Sequence, residues 1–503
     1  MRPLEVLILL ALLFSLLGHL IPRRRRPRWL SRLSALAAIL VVIHLVSEGY
    51  RWQMVPAYVL AALLVPGMVL SETEAARPPS SALSLTRRIL RILGVVVGLT
   101  ALASAALLTS VLPVFTLPEP TGPYAVGTQY YLWTDTRRPD EHTSAPDDFR
   151  EISVQIWYPA EPSGHEKPIP YMRRDAARAF IGSSENIPPF LFEHLALVRT
   201  HAYLDADAAQ ADAPFPVITY SNSGTMSVHM TLFEELASHG YIVVCIGHPY
   251  WNTFVYGSSG EAIPFDEKDE QYLDWWAEAD SSIVIDTKAQ VTVATTTADQ
   301  ERAFVKLNDL MPLAVADLRT WGDDIGFVLD QLDAINQNDG ALAGALDLQR
   351  VGVMGFSKGG AAAGQFCVTD IRCSAGINLT GFMYADIVDL DLQVPFLFMD
   401  EEEHWCPDCY PNNLFFNRAL SDAYQMKIRG ARHASFGDLS LYGRLFHLVS
   451  DEPDIDPQHM ILVQNAYSLA FFDKHLKGMP SALLDGPSAD FPEVVFISHH
   501  GTP

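Results

Sequence analysis

The chain has 503 residues, enough for one large domain or two ordinary ones, and a formal net charge of −24. That charge is unevenly placed: residues 1–116 carry 12 Lys and Arg against 4 Asp and Glu, whereas the remainder carries 23 against 55. A domain so acidic lacks the basic footprint that nucleic-acid binding needs, so no nucleic-acid partner is expected.

Residues 1–116 read as membrane-embedded. Apolar stretches run over about Leu4–Ile21, Leu33–Val46, Val55–Leu70 and Ile89–Phe115. The first and last meet the length of roughly 17–25 residues that a hydrocarbon core requires. The second reaches it when counted from Trp29 to Tyr50, with interfacial aromatics at each end. About four spans are therefore expected. Arg23, Arg24, Arg25, Arg26, Arg28 and Arg32 lie between spans one and two, and Arg77, Arg87, Arg88 and Arg91 between three and four; only Arg51 lies between two and three. Basic loops stay in the cytoplasm, so both ends, and everything after about Phe115, are expected on the extracytoplasmic side. A cleaved signal peptide fits less well, because no clean small-residue site precedes the arginine run. The spans hold His44 and almost no other ionisable group, so an ion path is not expected.

A Pro-rich connector at 117–127 leads into an expected domain at 128–480. Tyr130–Trp133 and Ile152–Trp157 are candidate strands, the second with clear alternation. Phe215–Tyr220 reads as a buried strand, Leu232–Ser238 as a helix stopped by Gly240, and Tyr241–Ile246 as another buried strand. This alternation argues for a parallel sheet with helices on both faces. Residues 255–312 break it. They are acidic, contain Trp275-Trp276, and are too long for a plain loop, so helical insertions over the active-site face are expected. Leu318, Trp321, Ile325, Val328, Leu329 and Leu332 recur at helical spacing. Strands at 375–379, 395–399 and 424–428, a helix at about 462–476 and a tail at 481–503 complete the reading.

The five cysteines suit an oxidising compartment. Cys367 with Cys373, and Cys406 with Cys409, could form two local disulfides, leaving Cys245 as a thiol in a buried strand. Cys406-Pro407-Asp408-Cys409 could also be a redox or zinc half-site. It has neither a second metal-ligand pair nor a thioredoxin-like surrounding, so no metal is assigned.

The chemistry-bearing segment is Gly355-Phe356-Ser357-Lys358-Gly359, directly after the apolar run 351–354 and before the small-residue run 360–364. A serine nucleophile on a sharp strand-to-helix turn needs tiny neighbours, and the following helix aims its amides at the reacting carbonyl. Ser357 is therefore the expected nucleophile of an α/β-hydrolase fold. The base should be a histidine on a loop after the last core strand, which selects His433 in Arg429-Gly430-Ala431-Arg432-His433. The acid should end a strand after the nucleophile. The first such strand ends Asn378-Leu379-Thr380-Gly381 without a carboxylate; the second ends Met399-Asp400-Glu401-Glu402-Glu403. Asp400 is the choice, with Glu402 and Glu403 as alternatives. The expected oxyanion donors are the Lys358 amide and one from Gly224 or Thr225, where glycine permits close approach of backbone. His248 is expected at the pocket rim.

With these residues in place, the chain resembles the platelet-activating factor acetylhydrolase family, in its plasma and type II intracellular branch. The resemblance runs from about Pro123 to Lys477. It is carried by Ile156-Trp157-Tyr158-Pro159-Ala160, Leu236-Ala237-Ser238-His239-Gly240-Tyr241, the Ser357 segment, and Ile428–Asp438, which holds a run similar to the family's R-G-x-x-H-x-x-F-x-D. It implies Ser357 and His433 as nucleophile and base, with no metal or cofactor. Two positions depart. Thr380 stands where the family has its acid, and Ser221-Asn222-Ser223-Gly224 stands where the family has S-H-G-x-G. The expected function is a membrane-anchored esterase acting on small or phospholipid-like esters. The alternatives are a binding or sensing module with a weakened triad, and a polyesterase or peptidase of the same fold.

Overall fold

A computed structural model describes all residues except 22–26, 75–83, 141, 144, 146, 181–187, 265–269, 339, 403–410, 444–453 and 502–503. Arg23–Arg26, Arg77, Glu403 and the Cys406–Cys409 pair thus lie outside the described residues. The chain forms two units. Met1–Thr116 with Tyr442–Val449 make one, and Leu117–Leu441 with Ser450–Pro503 the other.

The first unit holds helices α1 (Pro3–Leu20), α2 (Arg28–Ser47), α3 (Val55–Glu74) and α4 (Ser84–Val111). Two stretches, Pro3–Leu20 and Arg88–Val111, are long and apolar enough to cross a membrane; those of α2 and α3 are shorter. Ile8, Leu12 and Leu16 pack with Ala37, Ala57, Ala61 and Ala105, small residues that let helices approach closely. Glu5 joins His44 as an ionisable group within these helices. Both its oxygens accept from the Arg51 guanidinium, at 2.7 and 2.8 Å, and Arg2 Nε donates at 3.0 Å. Both Glu5 and Arg51 are fully buried, where an ion pair persists only when hydrogen-bonded in this way.

The second unit carries, in chain order, β1 (Ala125–Pro139), β2 (Phe149–Ala160), β3 (Pro168–Pro170), α5 (Arg174–Ala179), β4 (Arg199–Leu204), β5 (Phe215–Asn222), β6 (Gly224–Thr225), α6 (Met230–Ser238), β7 (Ile242–Gly247), β8 (Asn252–Tyr256) and β9 (Ala262–Pro264). Then come α7 (Glu270–Ala279), α8 (Ser282–Val293), α9 (Thr297–Leu310), α10 (Pro312–Gln337), β10 (Leu346–Phe356), α11 (Lys358–Thr369), β11 (Cys373–Leu379), β12 (Phe396–Glu401), α12 (Asn413–Arg418), β13 (Ala423–Ile428), a C-terminal helix (Pro457–Lys477) and β14 (Val494–His499).

Eleven strands form one sheet in the order β14-β13-β12-β11-β10-β5-β7-β2-β1-β4-β3. Its centre, from β7 through β5, β10, β11 and β12 to β13, is parallel. These strands are buried on both faces, which is why they read as unbroken apolar runs such as Ile242-Val243-Val244-Cys245-Ile246. The margins β1–β2, β2–β7 and β13–β14 are antiparallel. Helix α11 is buried throughout Lys358–Cys367, which only its Gly and Ala content permits. A disulfide, Cys367–Cys373, joins its end to β11, and Cys245 is a buried free thiol.

Two segments differ from the sequence expectation. The tail after 480 contains β14, which extends the sheet beyond β13. The segment 255–312 opens with strands, because β6, β8 and β9 form a separate three-stranded sheet before helices α7 to α9 begin.

Candidate active site

Ser357 lies between β10 and α11, with φ 57° and ψ −124°. A serine in this left-handed region is uncommon and is held only by its surroundings. Its amide donates to the Leu379 carbonyl at 2.9 Å. A Cβ at Gly359 would collide with the Ser221 carbonyl, and one at Gly360 with Asn378 Oδ1, so the turn closes only with glycine at both places. Asn378 in turn locks residues 378–381, donating to the Gly381 carbonyl and accepting from its amide, both at 2.7 Å.

His433 begins a short 3-10 turn after β13. Its ring lies 4.7 Å from that of Phe356, the residue before Ser357, which sets the imidazole beside the serine turn. Among the described residues the Ser357 hydroxyl makes no hydrogen bond to His433; in unliganded hydrolases this contact is commonly long and closes around substrate.

The carboxylate that meets the imidazole is Glu401. Its Oε2 lies 3.2 Å from His433 Nδ1 and accepts from the Thr380 hydroxyl at 2.6 Å. Thr380 Oγ1 is itself 3.3 Å from Nδ1. Asp400, the carboxylate expected from the sequence, is not the one that the structure brings to His433. Asp400 and Glu401 are consecutive on β12 and so point to opposite faces; Asp400 is buried, with Lys427 as its register partner. Glu402, one of the alternatives, has other partners. Its Oε2 accepts from the Gly430 amide at 2.8 Å, and its carbonyl accepts from Arg432 at 2.7 Å, so it props the loop that carries His433. Thr380 has φ 48°, rare for a β-branched residue. That backbone brings its hydroxyl to Glu401 from the strand end where a carboxylate was missing.

The loop beyond His433 is tied down by Asp438. This buried carboxylate accepts from the Met230 amide at 2.7 Å and the Thr231 hydroxyl at 2.5 Å, at the N-terminus of α6. Burial pushes its carboxyl up to about 7, even though the hydrogen bonds from Thr231 and Met230 pull the other way. A carboxyl raised above its unfolded value stabilises the fold most when protonated, and this contribution is lost as pH rises through about 7. Asp438→Asn, which resembles the protonated acid, is expected to flatten the fall in unfolding free energy between pH 5 and 8 by an amount on the order of 3 kcal/mol, read by denaturant titration at each pH. An unchanged slope would exclude Asp438 as its source.

The turn after β5 is held by Asn222, whose Nδ2 donates to the Thr225 carbonyl at 2.8 Å, and by Asn252, whose Nδ2 donates to the Asn222 carbonyl at 3.1 Å. The Gly224 amide, one of the two expected oxyanion donors of this turn, already donates to the Trp251 carbonyl at 3.1 Å. Thr225 is buried on β6, and Lys358 is the first residue of α11, where a helix amide has no intrahelical acceptor.

His248 is fully buried rather than at a rim. Its Nδ1 lies 2.8 Å from Asp324 and its Nε2 3.0 Å from Ser221 Oγ, forming a second Ser–His–acid set, with Asp324 as the acid. Burial alone would raise the Asp324 carboxyl, but the bidentate Arg150 guanidinium holds it below the usual carboxylate range. Ser221 is 1% exposed, so no substrate reaches it in this state.

The Lys358 side chain is also buried. Its Nζ contacts Asp317 and lies 3.0 Å from the Trp251 ring centroid, 4.7 Å from Trp275 and 4.9 Å from Trp321. Burial, together with Arg150, pushes the ammonium well down; the Asp317 carboxylate and the indole faces favour the charged form.

Residues 110–480 match the family described as platelet-activating factor acetylhydrolase, isoform II. A probable 1-alkyl-2-acetylglycerophosphocholine esterase of Arthroderma benhamiae is 24% identical over 445 residues, covering 79% of this chain and 97% of the relative. The platelet-activating factor acetylhydrolase of Bos taurus is 23% identical over 385 residues, covering 72% and 77%. Among solved structures, a ferulic acid esterase from Streptomyces cinnamoneus superposes with a TM-score of 0.58 at 25% identity, over 76% of this chain and 100% of its own. The chain is a carboxylic-ester hydrolase, and it belongs to the platelet-activating factor acetylhydrolase, isoform II, family.

Proposed function

We propose that the protein is a membrane-anchored serine esterase that cleaves short-chain or phospholipid-like esters through an acyl-enzyme on Ser357. The observation that carries this reading is the left-handed Ser357 at the start of α11, beside a histidine whose Nδ1 faces a carboxylate. His433 takes the serine proton as Oγ attacks the ester carbonyl, then returns it to the leaving alkoxide; water repeats the sequence to release the acid. Glu401 orients the imidazole and stabilises its cation, with Thr380 fixing the carboxylate. The Lys358 amide faces the developing oxyanion, and of the two turn residues the reading carries Thr225, since the Gly224 amide is already donated.

The names of the relatives, a probable 1-alkyl-2-acetylglycerophosphocholine esterase and a platelet-activating factor acetylhydrolase, support this substrate class. The apolar helices of residues 1–116 would hold the enzyme at a bilayer, with about four spans and the catalytic unit outside the cytoplasm, as the arginine distribution favours. The test is a p-nitrophenyl ester series from acetate to laurate, with a 2-acetyl glycerophospholipid beside it, on the full chain in detergent. The reading expects kcat/KM to be highest for two- to four-carbon acyl groups and to include the phospholipid. Turnover confined to long acyl chains would contradict the short-chain assignment, and no turnover at all would contradict the esterase.

A further inference from the structure

The nucleophile's neighbour, Lys358, places an ammonium among three tryptophans where a methionine or phenylalanine would pack without desolvation cost. The groups around it come from three separate places. Trp251 lies between β7 and β8, Trp275 is on α7, and Asp317 and Trp321 are on α10. Trp251 has a second task, because its carbonyl accepts the Gly224 amide and so fixes the turn after β5. One tryptophan therefore touches both halves of the oxyanion region: the turn through its carbonyl, and residue 358 through its ring.

We propose that the Lys358 side chain is a positioning residue, whose ammonium, clamped on the Trp251 ring and anchored by Asp317, holds the Lys358 amide in fixed relation to the turn at Asn222–Thr225. This rests on the esterase reading above. It also gives the inserted helix α7 a part in catalysis, since Trp275 closes the cage from outside. The cage borders a cavity of about 270 Å³ lined in part by Tyr250, Trp251, Tyr272, Trp275 and Asp317, which gives a small ion a way in.

The test compares Lys358→Met, Lys358→Arg, Lys358→Ala and Asp317→Asn with wild type and Ser357→Ala, on the full chain in detergent, with a short-chain p-nitrophenyl ester. Lys358→Met is expected to lower kcat about 10²-fold, the scale of a lost oxyanion donor, with KM within about threefold. Lys358→Arg should recover part of that loss. Lys358→Ala should regain about tenfold in kcat with millimolar n-propylammonium and nothing with 1-propanol, which fills the space without the charge. A Lys358→Met enzyme with kcat within about threefold of wild type would overturn the proposal. So would equal rescue by propanol. Should the Lys358 variants fail to fold, Asp317→Asn decides: a kcat down about three- to tenfold supports the clamp, and a wild-type kcat overturns it. Activity surviving Ser357→Ala would instead defeat the esterase reading itself.

Discussion

Ser357→Ala is expected to lower kcat by about 10⁴- to 10⁶-fold on a short-chain ester and to abolish labelling by a fluorophosphonate, while the thermal midpoint stays near wild type. The size follows from the mechanism. Without the hydroxyl no acyl-enzyme forms, and the remaining groups act as a unit that has lost its nucleophile. Ser357 is partly exposed at its turn and its hydroxyl makes no hydrogen bond to His433 among the described residues, so removing the hydroxyl costs the fold little. Stopped-flow or steady-state assays of the purified pair measure the ratio, and a loss below about tenfold would mean that another group attacks the ester.

The second large effect separates two adjacent carboxylates. Glu401→Gln is expected to lower kcat by about 10²- to 10⁴-fold, because the amide no longer stabilises the imidazolium. Thr380→Val, which removes the hydroxyl at 2.6 Å from the same oxygen, should cost about three- to tenfold, on the scale of one hydrogen bond to a charged group. Asp400→Asn should leave kcat within about threefold, because its side chain lies on the other face of β12 and faces away from His433. The reverse ranking of Glu401→Gln and Asp400→Asn would return the acid to Asp400.

The residues differ in how far local sequence revealed them. Ser357 and His433 sit in short segments whose composition carries their role: glycines that a tight turn requires, and a loop after the last parallel strand. The central strands were legible because burial on both faces leaves long apolar runs. Glu401 was not legible, because the run Asp400–Glu403 offers a carboxylate to each face of β12. Only the side from which the imidazole approaches decides between them, and that side is set by β13 and its following loop. The left-handed backbone of Thr380 was equally hidden. So was the commitment of the Gly224 amide, since its acceptor lies 27 residues along the chain in Trp251. The cage around Lys358 joins positions from 251 to 358, a juxtaposition without any local pattern. Strand β14 was missed because Val494–Ile497 is a short apolar run in a stretch that otherwise reads as a polar tail.

The two Ser–His–acid sets in one catalytic unit give the central claim a direct test. Full-length protein would be treated with a fluorophosphonate, digested, and the modified peptide sequenced by mass spectrometry. The account predicts one adduct, on Ser357, formed in wild type and in Ser221→Ala and lost in Ser357→Ala. An adduct on Ser221, or folded wild-type protein that takes up no label, would contradict it.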